Sequence, residues 1–383
     1  MSWVYLDNNA TTQPAPEVLD AMRPFYETHW GNPSSLHRFG RDVANAVETA
    51  RRHVADFLGA PRASTIIFTS SGTEANNMAL HGLCAAQPDK RHIVTTRIEH
   101  SSVLRYCRAL EQQGYAVTYL PVTRDGRVTA DVVAQALRPD TACVAVMWAN
   151  NETGTCLPIE EIAQLCEARA VPLHIDAVQA AAKIPIDVSR IPSASLAISG
   201  HKIHAPKGIG ALYLRRGTPF RPLLQGGGQE YGRRSGTENV AQIIGLGRAA
   251  QLAAQHLSHV TTTISTQRNR LERALLEKIP EAHVNGSLTE RVPNTTNVSL
   301  HGVDGEGLIL ALSDAELAAS TGSACSAGST EPSHVLVAMG LSPEELRGTL
   351  RLSLSRYTTD DDIDRAIEII PRVVTARRKL NPR

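Results

Sequence analysis

Between about residues 60 and 215 the chain repeats one pattern, a short β-branched or apolar run followed by a stretch with helical spacing. Ser64–Ser70, His92–Thr96, Ala116–Pro121, Cys143–Trp148 and Val171–Asp176 read as strands, and so does the run Ser195–Ile198. Helical patterns cover Glu74–Ala86, Asp131–Leu137 and Ile159–Arg169. Strands alternating with helices predict an α/β fold, a mostly parallel sheet covered on both faces. After Thr237 an Ala/Leu-rich helical region runs to about Ile279, and the pattern then changes. Strands near Asn297–Leu300 and Leu350–Leu354 and a closing helix over Thr359–Lys379 predict a smaller α+β domain. That helix has acidic residues in its first turn and basic ones in its last, the order its dipole favours. The expected partition is a large domain over 16–255 and a small one over 256–383, with residues 1–15 joining the small domain.

A chain of 383 residues has material for two or three domains. Its formal charge of +1 argues against nucleic acid as a partner, since phosphate backbones select strongly basic faces. No apolar run is long enough to cross a bilayer, and Met1–Asp7 lacks the regions of a signal peptide. The expected location is therefore the cytoplasm. Six scattered cysteines, at 84, 107, 143, 156, 166 and 325, form no Cys-x-x-Cys pair. Neither a metal site of the usual zinc spacing nor a disulfide framework is expected.

Three segments carry chemistry. In Ser199-Gly200-His201-Lys202-Ile203-His204, a lysine directly follows a predicted strand. Partial desolvation there would lower its pKa and make it a nucleophile toward carbonyls, although a surface turn with a solvated lysine fits the same residues. In Thr69-Ser70-Ser71-Gly72-Thr73-Glu74, small residues stand at a strand-to-helix junction. Free N–H groups there suit a phosphate, though a plain N-cap reads the same; neither a Walker loop nor a Gly-x-Gly-x-x-Gly is present. In His174-Ile175-Asp176-Ala177-Val178-Gln179, a strand ends on an acid. Such an Asp can keep a ring nitrogen protonated or can simply terminate a turn. Taken together, the three point to pyridoxal 5'-phosphate more strongly than any one does.

On these segments and several more, the sequence resembles the cysteine desulfurases of the class V aminotransferase superfamily. Further matches are Tyr5-Leu6-Asp7-Asn8-Asn9-Ala10-Thr11-Thr12, Gly31-Asn32-Pro33-Ser34-Ser35, Trp148-Ala149-Asn150-Asn151-Glu152-Thr153-Gly154, Arg234-Ser235-Gly236-Thr237-Glu238-Asn239, Gly322-Ser323-Ala324-Cys325 and Arg351-Leu352-Ser353-Leu354. The resemblance spans nearly the whole chain and is to the branch serving nitrogenase and general iron–sulfur assembly. It implies the fold of type I pyridoxal-phosphate transferases, L-cysteine as substrate, and a homodimer that delivers sulfur to an acceptor such as an iron–sulfur scaffold.

The resemblance also implies roles. Lys202 would carry the cofactor and shuttle protons. Asp176 would pair with the ring nitrogen, Gln179 with the ring hydroxyl, and His100 would stack on the ring and act as an acid–base group. Gly72, Thr73, Ser199 and His201 would hold the phosphate, with Thr237 reaching it from the other subunit. Asn151 and Arg351 would bind the substrate carboxylate, Arg351 from a strand whose alternation predicts half burial. Cys325, in a run of small residues, would receive the sulfur. Ala205 stands where the family commonly has glycine. Other class V activities, a selenocysteine lyase or a transaminase, would leave Cys325 dispensable or prefer selenocysteine. A sulfur carrier that had lost catalysis is opposed by the retention of Lys202, Asp176 and His100 together.

Overall fold

The computed structural model describes residues 3–321 and 332–380. Its strands, in chain order, are β1 (Val4–Tyr5), β2 (Ile66–Thr69), β3 (His92–Thr96), β4 (Ala116–Leu120), β5 (Thr141–Met147) and β6 (Leu173–Asp176), followed by β7 (Ser195–Ser199), β8 (Gly210–Leu214), β9 (Ala282–Val284), β10 (Thr295–Leu300), β11 (Leu317–Ala318) and β12 (Thr349–Ser353). Seven of them form one sheet in the order β2-β8-β7-β6-β5-β3-β4. Neighbours from β7 through β4 are parallel, whereas β8 runs antiparallel to both β2 and β7. Because β8 is reversed against each neighbour, β2 points the same way as the parallel set. The carboxyl ends of β2, β3, β5, β6 and β7 therefore face one side, where ligands of open α/β sheets bind. β8 lies outside the expected strands; Gly208 and Gly210 interrupt its apolar run and weaken the strand signal.

The sheet is buried through most of its width. Every residue of β2, β3, β5, β6, β7 and β8 is buried, as strands covered on both faces require. Helices Gly72–Ala85 and Arg38–Phe57 belong to this part, the latter packed against Val240–His259. Beyond it, a π-turn over Val260–Ile264 leads into the helix Ser265–Lys278. A second core gathers Val4, Leu6 and apolar residues from Val260 to Val374 around the antiparallel sheet β12-β10-β9. The closing helix Asp360–Leu380 covers it.

One local expectation changes at β12. The alternation at Arg351 predicts a half-buried strand, yet all five residues of β12 are buried. The reason is the N-terminal segment, which pairs with the edge of β12 and reaches its Arg351/Ser353 face: Ser353 N donates to Leu6 O (2.7 Å), Asn9 N donates to Ser353 Oγ (2.9 Å), and Asp7 pairs with Arg351 (2.7 Å). The face that alternation assigns to solvent is covered by this strap. Among the described residues no helix is long and apolar enough to cross a membrane.

Candidate active site

Where the strands end, a cavity of about 1280 Å³ opens. Each expected site residue from the sheet's carboxyl edge lines it: Gly72 and Thr73 after β2, His100 after β3, Asn151 after β5, Asp176 and Gln179 at β6, and Ser199, His201 and Lys202 at β7. Arg351 reaches it from β12. Thr237 is exposed and does not line the cavity of its own chain. Cys325, with Gly322, Ser323 and Ala324, lies outside the described residues.

Lys202 closes a short 3₁₀ turn, Gly200–Lys202, directly after β7. Its Nζ donates to the carbonyls of Asn9 (2.5 Å) and Ala10 (2.7 Å). The N-terminal strap reaches this turn, since Thr12 N and Oγ1 both donate to His201 O at 2.9 Å. Ala205 keeps an ordinary backbone; the left-handed conformation falls on His204 (φ 67°) instead. Burial, then the charge of Lys202, pushes the His201 imidazole down to about 4, so it meets a ligand as a neutral ring.

Across from Lys202, the helix Gly72–Ala85 begins under a Ser71 cap, whose Oγ accepts from Glu74 N (3.1 Å). A Cβ on Gly72 would stand 2.8 Å from Val178 Cγ2 and 3.1 Å from Ser199 Cβ, so only glycine fits there. The first N–H groups of this helix and its dipole form a place for an anion.

Asp176 sits at the head of a hydrogen-bond chain. Its Oδ1 accepts from Val178 N (3.0 Å) and its Oδ2 from Asn76 Nδ2 (2.7 Å). With that amide turned toward the carboxylate, Asn76 Oδ1 faces His174 Nε2 at 3.0 Å, and the imidazole must donate. His174 Nδ1 then accepts from Ser195 Oγ (2.9 Å), and burial pushes this imidazole down to about 3. Asn76 Nδ2 also donates to Ser102 Oγ (2.9 Å), which pairs with His100 Nδ1 (2.8 Å). One buried asparagine thus ties the carboxylate to the ring expected to stack above it.

Arg351 NH2 forms an ion pair with Asp7 Oδ1 (2.7 Å), and its NH1 donates to Asn151 O (3.2 Å). A fork held this firmly on a buried strand presents one geometry to a carboxylate.

The family model for aminotransferase class V matches residues 4–366. A cysteine desulfurase of Trichormus azollae is 53% identical over 382 residues, covering 100% of this chain and 95% of that protein. A solved NifS-like protein is 37% identical with a TM-score of 0.92, covering 98% of this chain and all of the other. A solved SspA in complex with cysteine is 38% identical with a TM-score of 0.82, covering 93% and 99%. The chain belongs to the class V aminotransferase family, as a cysteine desulfurase. Enzymes of this family use pyridoxal phosphate. The site fits that group, with a Gly72 position that a side chain would fill, a carboxylate held by two donors and a lysine lining the same cavity.

Several residues of this desulfurase's site escape the motif reading. His174 and Asn76 lie inside a strand and a helix, where their polarity was the only signal. Glu152 lies within a quoted match and Glu99 directly before His100, both without an expected role. Glu152 is buried, which raises its carboxyl pKa, and its Oε2 accepts from Ser333 Oγ (2.5 Å). Glu99 is buried too, pushed up to about 8 by desolvation, and its backbone carbonyl accepts from His334 Nε2 (2.9 Å). Lys183, four residues after Gln179, is buried, and its Nζ donates to the Gln179 amide oxygen (2.9 Å).

Proposed function

We propose that this desulfurase acts on L-cysteine, releases L-alanine and holds the sulfur as a persulfide on Cys325 for an acceptor protein such as an iron–sulfur scaffold. The observation that carries the site assignment is the convergence of Lys202, Asp176 and the start of the helix Gly72–Ala85 on one cavity. The solved SspA complex supports cysteine as the substrate.

When bound, pyridoxal phosphate supplies an electron sink that makes the substrate's Cα–H acidic. The chain's own residues do the rest. Gly72, Thr73, Ser199 and His201 bind the phosphate. Asp176 would hold the proton of the ring nitrogen, because a carboxylate held by Asn76 and Val178 needs no reorganisation to do so. Gln179 meets the ring hydroxyl, and His100, braced through Ser102, covers the ring face. Arg351 and Asn151 take the substrate carboxylate. Lys202, the point of covalent attachment, holds and returns a proton at Nζ. The Cys325 thiolate attacks the substrate sulfur; an S–S bond forms, the C–S bond breaks, and its electron pair stays on carbon, which takes a proton to become alanine's methyl group.

The same reading makes the working enzyme a cytoplasmic homodimer. Thr237 is exposed and outside its own cavity, which suits a role at the partner's phosphate. Trp30 and Leu36 are 72% and 91% exposed, as residues awaiting a partner surface are. The division into 16–255 and 256–383, with residues 1–15 joining the smaller part, is supported by the second core of Val4, Leu6 and residues from Val260 to Val374, whereas Ala15, Val292, Val335, Leu336, Met339 and Leu341 pack into the large core.

The test is chemical. Borohydride reduction and peptide mapping should place the cofactor on Lys202, and Lys202→Ala should bind it without a covalent link. Label on any other lysine, Lys183 included, contradicts the assignment.

A further inference from the structure

The mechanism leaves one buried cation of the site unused. Lys183 is 6% exposed, and its Nζ donates to Gln179 Oε1 at 2.9 Å. The other end of the same amide, Gln179 Nε2, donates to the carbonyl of Asn9 at 3.0 Å. The opposite amide orientation would set Oε1 against a carbonyl and the NH2 group against an ammonium, so the amide has one permitted orientation. In that orientation the hydrogen left to Gln179 belongs to Nε2. Toward the cavity, Gln179 is therefore a donor.

A small second cavity lies beside the two lysines. Lys183, Lys202, His204, His256 and Arg356 line it, with no carboxylate among the described residues. Burial first, and the charge of Lys202 second, pushes the Lys183 amine down to about 7. His204 is pushed down to about 4, mainly by burial, and adds no charge at neutral pH. Nothing anionic on this side competes with Gln179 Oε1 for the Lys183 head.

We propose that Lys183 is a positioning residue of the desulfurase. Its Nζ–H, donated to Oε1, works with the Asn9 carbonyl to lock the Gln179 amide as an N–H donor aimed at the cofactor's ring oxygen. This rests on the reading above, in which Gln179 meets the ring hydroxyl. Locking matters because the oxygen it faces is an acceptor when ionised. A free amide would spend part of its time presenting Oε1 instead, which repels that oxygen. The amide also sits between the oxygen and the Lys183 charge, so it transmits positive potential to the ligand.

The experiment is a double-mutant cycle on the holoenzyme, read as the pH at which the visible absorption of bound cofactor changes form. Removing the donor makes the ring oxygen more basic, so the bound cofactor keeps its proton to higher pH. Gln179→Leu should raise the transition by about one pH unit, the scale of one hydrogen bond to a charged group. Lys183→Met, nearly the same length without the charge, should raise it by at least half as much. The double variant should match Gln179→Leu alone, because the lysine acts through the amide. Lys183→Leu, which likewise offers no donor to Gln179 Oε1, takes the place of Lys183→Met if that protein does not fold, under the same criteria.

A Lys183 variant with an unmoved transition overturns the inference, and so does a double variant whose shift is the sum of the two. Either result leaves the placement of the cofactor standing. An unmoved transition in Gln179→Leu overturns that placement, and the inference with it.

Discussion

His174 and Asp176 lie two apart on β6, so both side chains leave the sheet on the same face and meet Asn76 of the helix above. The arrangement works only while His174 is neutral, because Asn76 Oδ1 needs its N–H and Ser195 its lone pair. Burial, which holds this imidazole down near 3, enforces that. An unfolded histidine titrates near 6.5, so between these values the unfolded chain binds a proton that the folded one refuses. Stability from His174 is therefore full above about 6.5 and is lost as the pH falls toward 3. In urea unfolding of the apoprotein, the advantage of the parent over His174→Gln should shrink on acidification, by up to about 1.4 kcal/mol per pH unit. A constant difference from pH 7.5 to 4.5 would mean that His174 is not held neutral. Lys202 and Asp176 were legible because each follows an apolar run, where a charged side chain has to be explained. Asn76, His174 and Lys183 were not, since a polar residue inside an element announces its role only through the partner the fold brings to it.

At the scale of elements, the segment leading to Thr237 is held to the large sheet by one buried ion pair. Arg51, on the helix Arg38–Phe57, grips both oxygens of Glu230 at 2.6 and 3.0 Å and donates to Ile66 O. Glu230 Oε2 also accepts from Phe68 N (2.9 Å), which fixes the pair against β2. Glu230 and Tyr231 both adopt left-handed backbone (φ 50° and 57°), a conformation that costs energy without glycine. Three residues further on, Arg234 pairs with Glu74 in the first turn of the helix Gly72–Ala85 (2.7 Å). Removing one partner of such a pair leaves a buried charge, so Glu230→Gln should cost roughly 3 kcal/mol in unfolding free energy. A loss below about 0.5 kcal/mol, the range of an ordinary surface change, would contradict this role. Element type was legible wherever a run was long or β-branched, as in β5 and β6. It was weaker at β8, where glycines dilute the pattern, and at β12, whose alternation is real but whose outer face is covered by the N-terminal strap. A strap contact pairs residues more than 340 positions apart, and no local period carries that.

Over the whole molecule, residues 4–12 link the smaller core to the site. Val4 and Leu6 bury in the smaller core, Asn9 and Ala10 receive Lys202, and Thr12 holds the turn that carries it. Ser333 and His334, which follow the segment containing Cys325, are held by Glu152 and by the carbonyl of Glu99 at the cavity wall. The downstream flank of the proposed sulfur-accepting cysteine is thus fixed beside the cofactor site. In the proposed mechanism, everything up to loss of the substrate's α-proton needs Lys202, Asp176 and the carboxylate clamp, and only breaking the C–S bond needs a second thiolate. The decisive measurement is alanine release from L-cysteine by Cys325→Ser, with mass analysis for a persulfide. The variant should still change its absorption when cysteine is added, yet release almost no alanine and carry no persulfide. Alanine formed at the parent rate would contradict the account.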